Sequence, residues 1–169
     1  GPMGTGAIIL NGVSPEPLMV GGTGVLSKSL LQPDSYPEML ESGTLNVPGI
    51  CGLNEGVNAL RRLGIDNVER IEKKWCDYIA KELAEIKGVT VYLPRNERVG
   101  NLVSFNVDKL HSEATALSLS ANDIAVRGGF HCAPMAHRFR GTDRVGTVRI
   151  SPSFFTTEKD IKKLLNLVR

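Results

Sequence analysis

The sequence has no apolar run approaching the roughly 18 residues that cross a bilayer. It does not open with the charged-then-apolar pattern of a secretory signal. It has no CxxC pair. Its three cysteines, Cys51, Cys76 and Cys132, are odd in number and widely spaced, which argues against a disulfide framework and for a reducing, cytoplasmic setting. An excess of one charge is also missing. Twenty basic residues against eighteen acidic ones leave +2, so neither nucleic acid nor an anionic membrane is expected as the main partner. Internal repeats and low-complexity tracts are absent. What remains is an ordinary globular composition, 41% hydrophobic and 22% charged. Its 169 residues suit one domain, or one domain with part of another.

Glycine departs from the average. Eleven of the eighteen glycines and six of the nine prolines fall in the first 56 residues, so the front of the chain is rich in turns and close backbone approaches. Gly1-Pro2 reads either as native sequence or as the remnant of a cleaved tag. Ala7 to Leu10 is a short apolar run suited to a buried strand, but residues 25 to 51 show no sustained period. From Leu53 the pattern tightens. Leu53, Val57, Leu60 and Leu63 recur at helical spacing up to Gly64. Asp66 and Glu69 form a capping-box pattern ahead of a long helix expected to carry Val68, Ile71, Trp75, Tyr78, Ile79, Leu83 and Ile86 on one face. Val89 to Leu93 and Leu102 to Val107 read as strands. In the second, Val103, Phe105 and Val107 alternate with Ser104 and Asn106, so one face is polar. Ser112 is suited to cap a helix to about Ser120. Short strands follow at Ile124 to Val126 and Thr147 to Ile150. Thr157 with Asp160 forms a second capping box before a terminal helix. Paired strands flanked by helices imply an α+β arrangement, helices packed on a small, mostly antiparallel sheet.

Four constellations carry chemistry. Arg127-Gly128-Gly129-Phe130-His131-Cys132-Ala133-Pro134 sets a cysteine on a glycine-rich loop, beside His131 and near Arg127, Arg138 and Arg140. Cations favour the nucleophilic thiolate; the alternative is a small buried cysteine beside a surface histidine. His131, Cys132 and His137, with His111 or Cys51, are metal-capable types, but their spacing matches no zinc pattern, and no metal is assigned. The glycine-rich front, including Gly21 to Gly24 and Glu41 to Asn46, offers backbone amides and the Thr44 hydroxyl to a phosphate. It lacks a complete Walker or dinucleotide fingerprint. Arg149 stands in an apolar strand and needs an anionic partner, either a protein carboxylate or a substrate carboxylate held by both guanidinium nitrogens.

Taken in order, GPMGTG at 1 to 6, GGTG at 21 to 24, ESGTLNVPGICGL at 41 to 53, AVRGGFHCAP at 125 to 134 and GTVRIS at 146 to 151 resemble the C-terminal part of a class V, fold-type I pyridoxal-phosphate enzyme. The resemblance is to the cysteine desulfurase and selenocysteine lyase branch, and it covers essentially the whole chain. It implies an α/β fold in which the tail of the cofactor domain, residues 1–52, precedes a small C-terminal domain, residues 53–169. It implies that Cys132 is the catalytic cysteine that attacks substrate sulfur and carries a persulfide. Arg149 then grips the substrate α-carboxylate, and Arg127 lines the same pocket. Gly43 and Thr44 reach the pyridoxal 5'-phosphate phosphate of the neighbouring subunit in a homodimer.

The family's Schiff-base lysine lies just before the segment that opens this chain, so the chain alone is expected to be inactive. Phe130 stands where some desulfurases carry another histidine, which leaves the sulfur-acceptor protein open. The implied reaction of the parent enzyme is removal of sulfur from L-cysteine to give alanine. Selenocysteine lyase, another class V aminotransferase or lyase, and a noncatalytic interaction or dimerisation module are the alternatives.

Overall fold

The computed structural model describes residues 1–22, 24–94 and 100–169. Thr23 of the glycine-rich turn and most of the polar connection at 94 to 98 lie outside the described residues. The chain divides into two compact units, Gly1–Leu63 and Gly64–Arg169.

In the second unit, helix α2 (Ile65–Ala84) leads into strand β1 (Val89–Tyr92), and β2 (Val103–Val107) returns antiparallel to it. Helices α3 (Ser112–Ser120) and α4 (Pro134–Arg140) precede β3 (Val148–Ile150), and α5 (Glu158–Val168) closes the chain. The sheet order is β1-β2-β3, antiparallel throughout. This is the expected arrangement of helices on a small antiparallel sheet.

Alternation along the strands gives the sheet two unlike faces. Val91, Phe105 and Val148 stand opposite one another across the three strands, as do Val103 and Ile150. These apolar residues form one core with Cys76, Ile79, Ala80 and Leu83 of α2 and Ile161, Leu164 and Leu165 of α5. The opposite face carries Tyr92, Ser104 and Arg149 in one row, with Thr90 and Asn106 in the next. The core thus occupies one side of the sheet and leaves the polar side available for chemistry.

Of the helix-start signals, one forms and two do not. The Thr157–Asp160 capping box is present in full: the Asp160 N–H donates to Thr157 Oγ1 at 3.3 Å and the Thr157 N–H to Asp160 Oδ2 at 3.0 Å. Asp66, by contrast, is not a cap. Gly64, at φ 78°, takes the N-cap position and Asp66 lies in the first turn of α2, where its charge suits the helix dipole. Ser112 is not a cap either; His111 precedes α3, and the Ser112 hydroxyl is used elsewhere. The strand expected at Ile124 to Val126 is reduced to one bridge, between Arg127 and Arg149.

In the first unit, α1 (Val47–Leu63) begins six residues before the periodicity at Leu53. Asn46 starts it, its Oδ1 accepting from the Gly49 N–H at 3.1 Å. The opening turn packs on this helix: a Cβ at Gly49 would lie 2.6 Å from Thr5 Cγ2, and one at Gly52 would lie 2.8 Å from Pro2 Cγ. Gly49 is the one buried residue among the described residues of this unit. Ala7 to Leu10 is not a buried strand. It has no pairing partner among the described residues, and Ile9 is 93% exposed.

Phe105 is fully buried at the centre of the core. Phe105→Ala is therefore expected to cost about 3–5 kcal/mol, read as a lowered midpoint in urea denaturation.

Candidate functional site

The site begins with two glycines. Gly129 and Thr147 exchange backbone hydrogen bonds, both at 3.1 Å, and Arg127 and Arg149 do the same at 3.2 and 2.7 Å. The segment ending in Gly129 thereby continues the sheet beyond β3. The approach is too close for side chains: a Cβ at Gly146 would lie 2.6 Å from the Gly129 carbonyl atoms, and one at Gly128 would lie 2.6 Å from the Ser112 carbonyl oxygen. Ser112 pins the junction. Its hydroxyl donates to the Val145 carbonyl and accepts from the Gly129 N–H.

Directly opposed residues of an antiparallel pair project to the same side. Arg127 therefore joins the polar row of Arg149, Ser104 and Tyr92. Arg149 is half-buried, and among the described residues its guanidinium meets no carboxylate. Its Nε is buried without a hydrogen-bond partner. The protein-carboxylate reading of Arg149 finds no support among these residues. An unpaired buried donor is costly, and an incoming carboxylate would satisfy it.

Beyond Gly129 the chain turns sharply. The Ala133 N–H donates to the Phe130 carbonyl at 2.9 Å, closing a turn around His131 and Cys132. Both central residues have positive φ, 53° and 60°, as in a type I′ turn. For side-chain-bearing residues this costs on the order of 1–3 kcal/mol each. Cys132 is exposed, unlike the fully buried Cys76. Arg127 Nη2 lies 3.9 Å from Cys132 Sγ.

Two imidazoles bracket the turn. His131 Nε2 lies 3.0 Å from the Thr147 carbonyl oxygen, the geometry of an N–H donor, while its Nδ1 is buried without a partner. Burial pushes the His131 pKa below the ordinary histidine value. The hydrogen bond to Thr147 opposes the shift, and the charges of Arg149 and Arg127 reinforce it. His137, in α4, lies 2.8 Å from Thr142 Oγ1 through Nδ1 and 3.1 Å from the Phe130 carbonyl through Nε2. Both nitrogens of His137 and Nε2 of His131 are committed to protein atoms, and no three metal-capable side chains converge among the described residues.

Gly43 and Thr44 belong to the first unit. Gly43 has φ 85° and donates its N–H to the Gly22 carbonyl at 2.7 Å. Thr44 is exposed and its hydroxyl has no hydrogen bond to a described residue. The residues alone indicate neither Thr142 nor the pinning roles of Ser112 and His137. Gly146 beside a strand was the one legible sign of close backbone approach; a histidine inside a short exposed helix gives none.

The profile of the family described as Aminotransferase class-V matches residues 1–164. A probable cysteine desulfurase of Pyrococcus abyssi is 33% identical over 178 residues, covering 99% of this chain and 43% of that protein. Among solved structures, the apo cysteine desulfurase of Thermococcus onnurineus superposes with a TM-score of 0.80 at 33% identity, over 89% of this chain and 38% of that one. The S-sulfonic acid form of the cysteine desulfurase CsdA from Escherichia coli gives 0.77 at 27% identity, over 90% and 38%. The chain thus spans about two fifths of the length of these relatives. They are fold-type I proteins of mixed α and β structure, as expected from the sequence.

His131 supplies a test by pH. The unfolded chain takes up a proton at the ordinary histidine value, while folded His131 resists it until lower pH. The folded state is therefore favoured above that value and loses stability as pH falls through it. Replacing His131 by Gln should flatten this part of the dependence between about pH 7.5 and 5.5, measured as the wild-type minus variant difference in unfolding free energy.

Proposed function

The chain belongs to the aminotransferase class-V family, and from that membership we propose that it supplies the sulfur-relay half of a cysteine desulfurase, with Cys132 as the acting thiol. The observation that carries this reading is the exposed Cys132 held 3.9 Å from Arg127, whose backbone is paired to that of Arg149, a guanidinium with no carboxylate among the described residues. Arg149 binds the α-carboxylate of L-cysteine, and a two-point contact would fix the orientation of the substrate. Arg127 lines the same pocket.

In the sulfur step, the Cys132 thiolate attacks the sulfur of the substrate thiol. The substrate carbon–sulfur bond breaks, its electron pair stays on carbon, and a proton completes the methyl group of alanine. The sulfur remains on Cys132 as a persulfide for a sulfur-acceptor protein.

Pyridoxal phosphate, when bound, supplies an electron sink at the substrate α-carbon. Gly43 and Thr44 would hold its phosphate from the neighbouring subunit of a homodimer. The fit rests on an exposed turn that requires glycine at 43 and on a Thr44 hydroxyl uncommitted among the described residues. The odd, widely spaced cysteines favour a reducing, cytoplasmic setting.

Two variants test the assignments in a complete enzyme that joins this chain to the lysine-bearing region. Cys132→Ser should abolish persulfide formation, read by mass spectrometry, while cofactor absorbance survives; continued alanine production would refute the assigned thiol. Arg149→Ala should raise KM for cysteine at least tenfold and leave cysteine methyl ester much less affected. An equal loss on both substrates would remove Arg149 from the carboxylate site.

A further inference from the structure

Helix α4 is held in an unusual way. Of its seven residues, His137 alone is buried, at 6% exposure, while Met135 and Phe139 are 71% and 82% exposed. Apolar burial does not explain why the helix docks where it does. Its anchor is polar, and both ring nitrogens of His137 take part.

The two partners of that ring belong to the two backbones that make the site. Nε2 reaches the carbonyl of Phe130, which also accepts from the Ala133 N–H and so closes the turn that carries Cys132. Nδ1 reaches the hydroxyl of Thr142, itself 3% exposed. The Thr142 carbonyl accepts from the N–H groups of Val145 and Gly146 at 3.3 and 2.8 Å, forming the turn that presents Gly146 to Gly129. A carbonyl can only accept, so Nε2 carries the hydrogen; in the neutral ring Nδ1 is then an acceptor, and the Thr142 hydroxyl donates to it at 2.8 Å in preference to the His137 carbonyl at 3.5 Å. The edge of the ring also meets Phe130, with centroids 5.2 Å apart.

We propose that His137 is a positioning residue: its Nε2–H tautomer clamps the strained Cys132 turn to the Thr142–Gly146 turn and so sets where the thiol stands. The αL pair at His131 and Cys132 stores conformational cost that the chain would otherwise release by relaxing. The clamp opposes that release from the α4 side, as Ser112 does from the α3 side. The significance of the clamp rests on Cys132 being the sulfur-carrying thiol, but its existence does not, and the test reads backbone and thiol without turnover.

The test uses the whole chain as it stands. His137→Phe keeps an aromatic ring against Phe130 and removes both hydrogen bonds; His137→Gln restores a donor for the Phe130 carbonyl. Amide hydrogen exchange is followed by NMR, and iodoacetamide alkylation of Cys132 is measured at peptide level against exposed Cys51 as internal reference. In His137→Phe the Ala133 and Gly146 amides should exchange at least tenfold faster while those of α2 and α5 hold their rates. The Cys132-to-Cys51 alkylation ratio should depart at least threefold from wild type. His137→Gln should recover most of the Ala133 protection. Wild-type ¹⁵N spectra should report a proton on Nε2.

Unchanged Ala133 exchange and an unchanged alkylation ratio overturn the proposal. So does a uniform acceleration that includes α2 and α5, which would mark a purely global contribution to stability. Should His137→Phe fail to fold, Thr142→Val, which removes the Nδ1 partner and the longer contact of the same hydroxyl to the His137 carbonyl, is judged by the Gly146 amide and the alkylation ratio under the same criteria. Loss of desulfuration in the complete enzyme with wild-type exchange in these variants would leave the function standing and remove the clamp.

Discussion

Everything at the polar face depends on one contact in which side chains are forbidden: the backbone of Gly146 lying on that of Gly129. Two peptide chains can approach this closely only if neither carries a Cβ toward the other. Once they do, the Gly129–Thr147 hydrogen bonds form and Arg127 comes into register with Arg149. The Cys132 turn then follows from the same stretch of chain. Two arginines on adjacent strands repel one another, so the arrangement is not favoured by its own charges. It is held by backbone pairing and by the hydrophobic core on the far side of the sheet.

The turn itself is secured by polar bonds. Ser112 and His137 tie loop backbone groups to α3 and α4, and the His131 side chain ties the loop to the Thr147 carbonyl just before β3. Directional bonds of this kind fix orientation more sharply than aliphatic contact does, because they weaken steeply with angle. The apolar side of the unit works differently, with Phe105, Ile79, Leu83 and Ile161 filling space without directional demands. Stability and placement are thus assigned to opposite faces of one three-stranded sheet.

That division governs what could be read from the residues. The core was legible because burial imposes a period: α2, α5 and the alternation in β2 all show it. The Thr157–Asp160 box was legible because its donor and acceptor are local in sequence. Asp66 showed the same pattern but lost the cap position to Gly64, whose positive φ ends one helix and begins the next. Ala7 to Leu10 departs from the strand expected of it because an apolar run says nothing about whether a second strand stands beside it. Helix α4 is only seven residues long and buries no apolar side chain, so burial imposed no period that could reveal it. Cys132 and Arg149 were picked out by residue type and by likeness to a family. The hydrogen bonds that hold their neighbourhood join residues up to 33 apart and leave no local trace.

The two-sidedness of β2 makes that strand unforgiving in one particular way. Exchange of one side chain for a similar one is a local matter. Gain or loss of a single residue would rotate every following side chain through half a turn, sending Ser104 and Asn106 into the oil and lifting Phe105 toward the guanidinium of Arg149. Both the fold and its chemistry would fail together, since each is written on alternate letters of the same five-residue word.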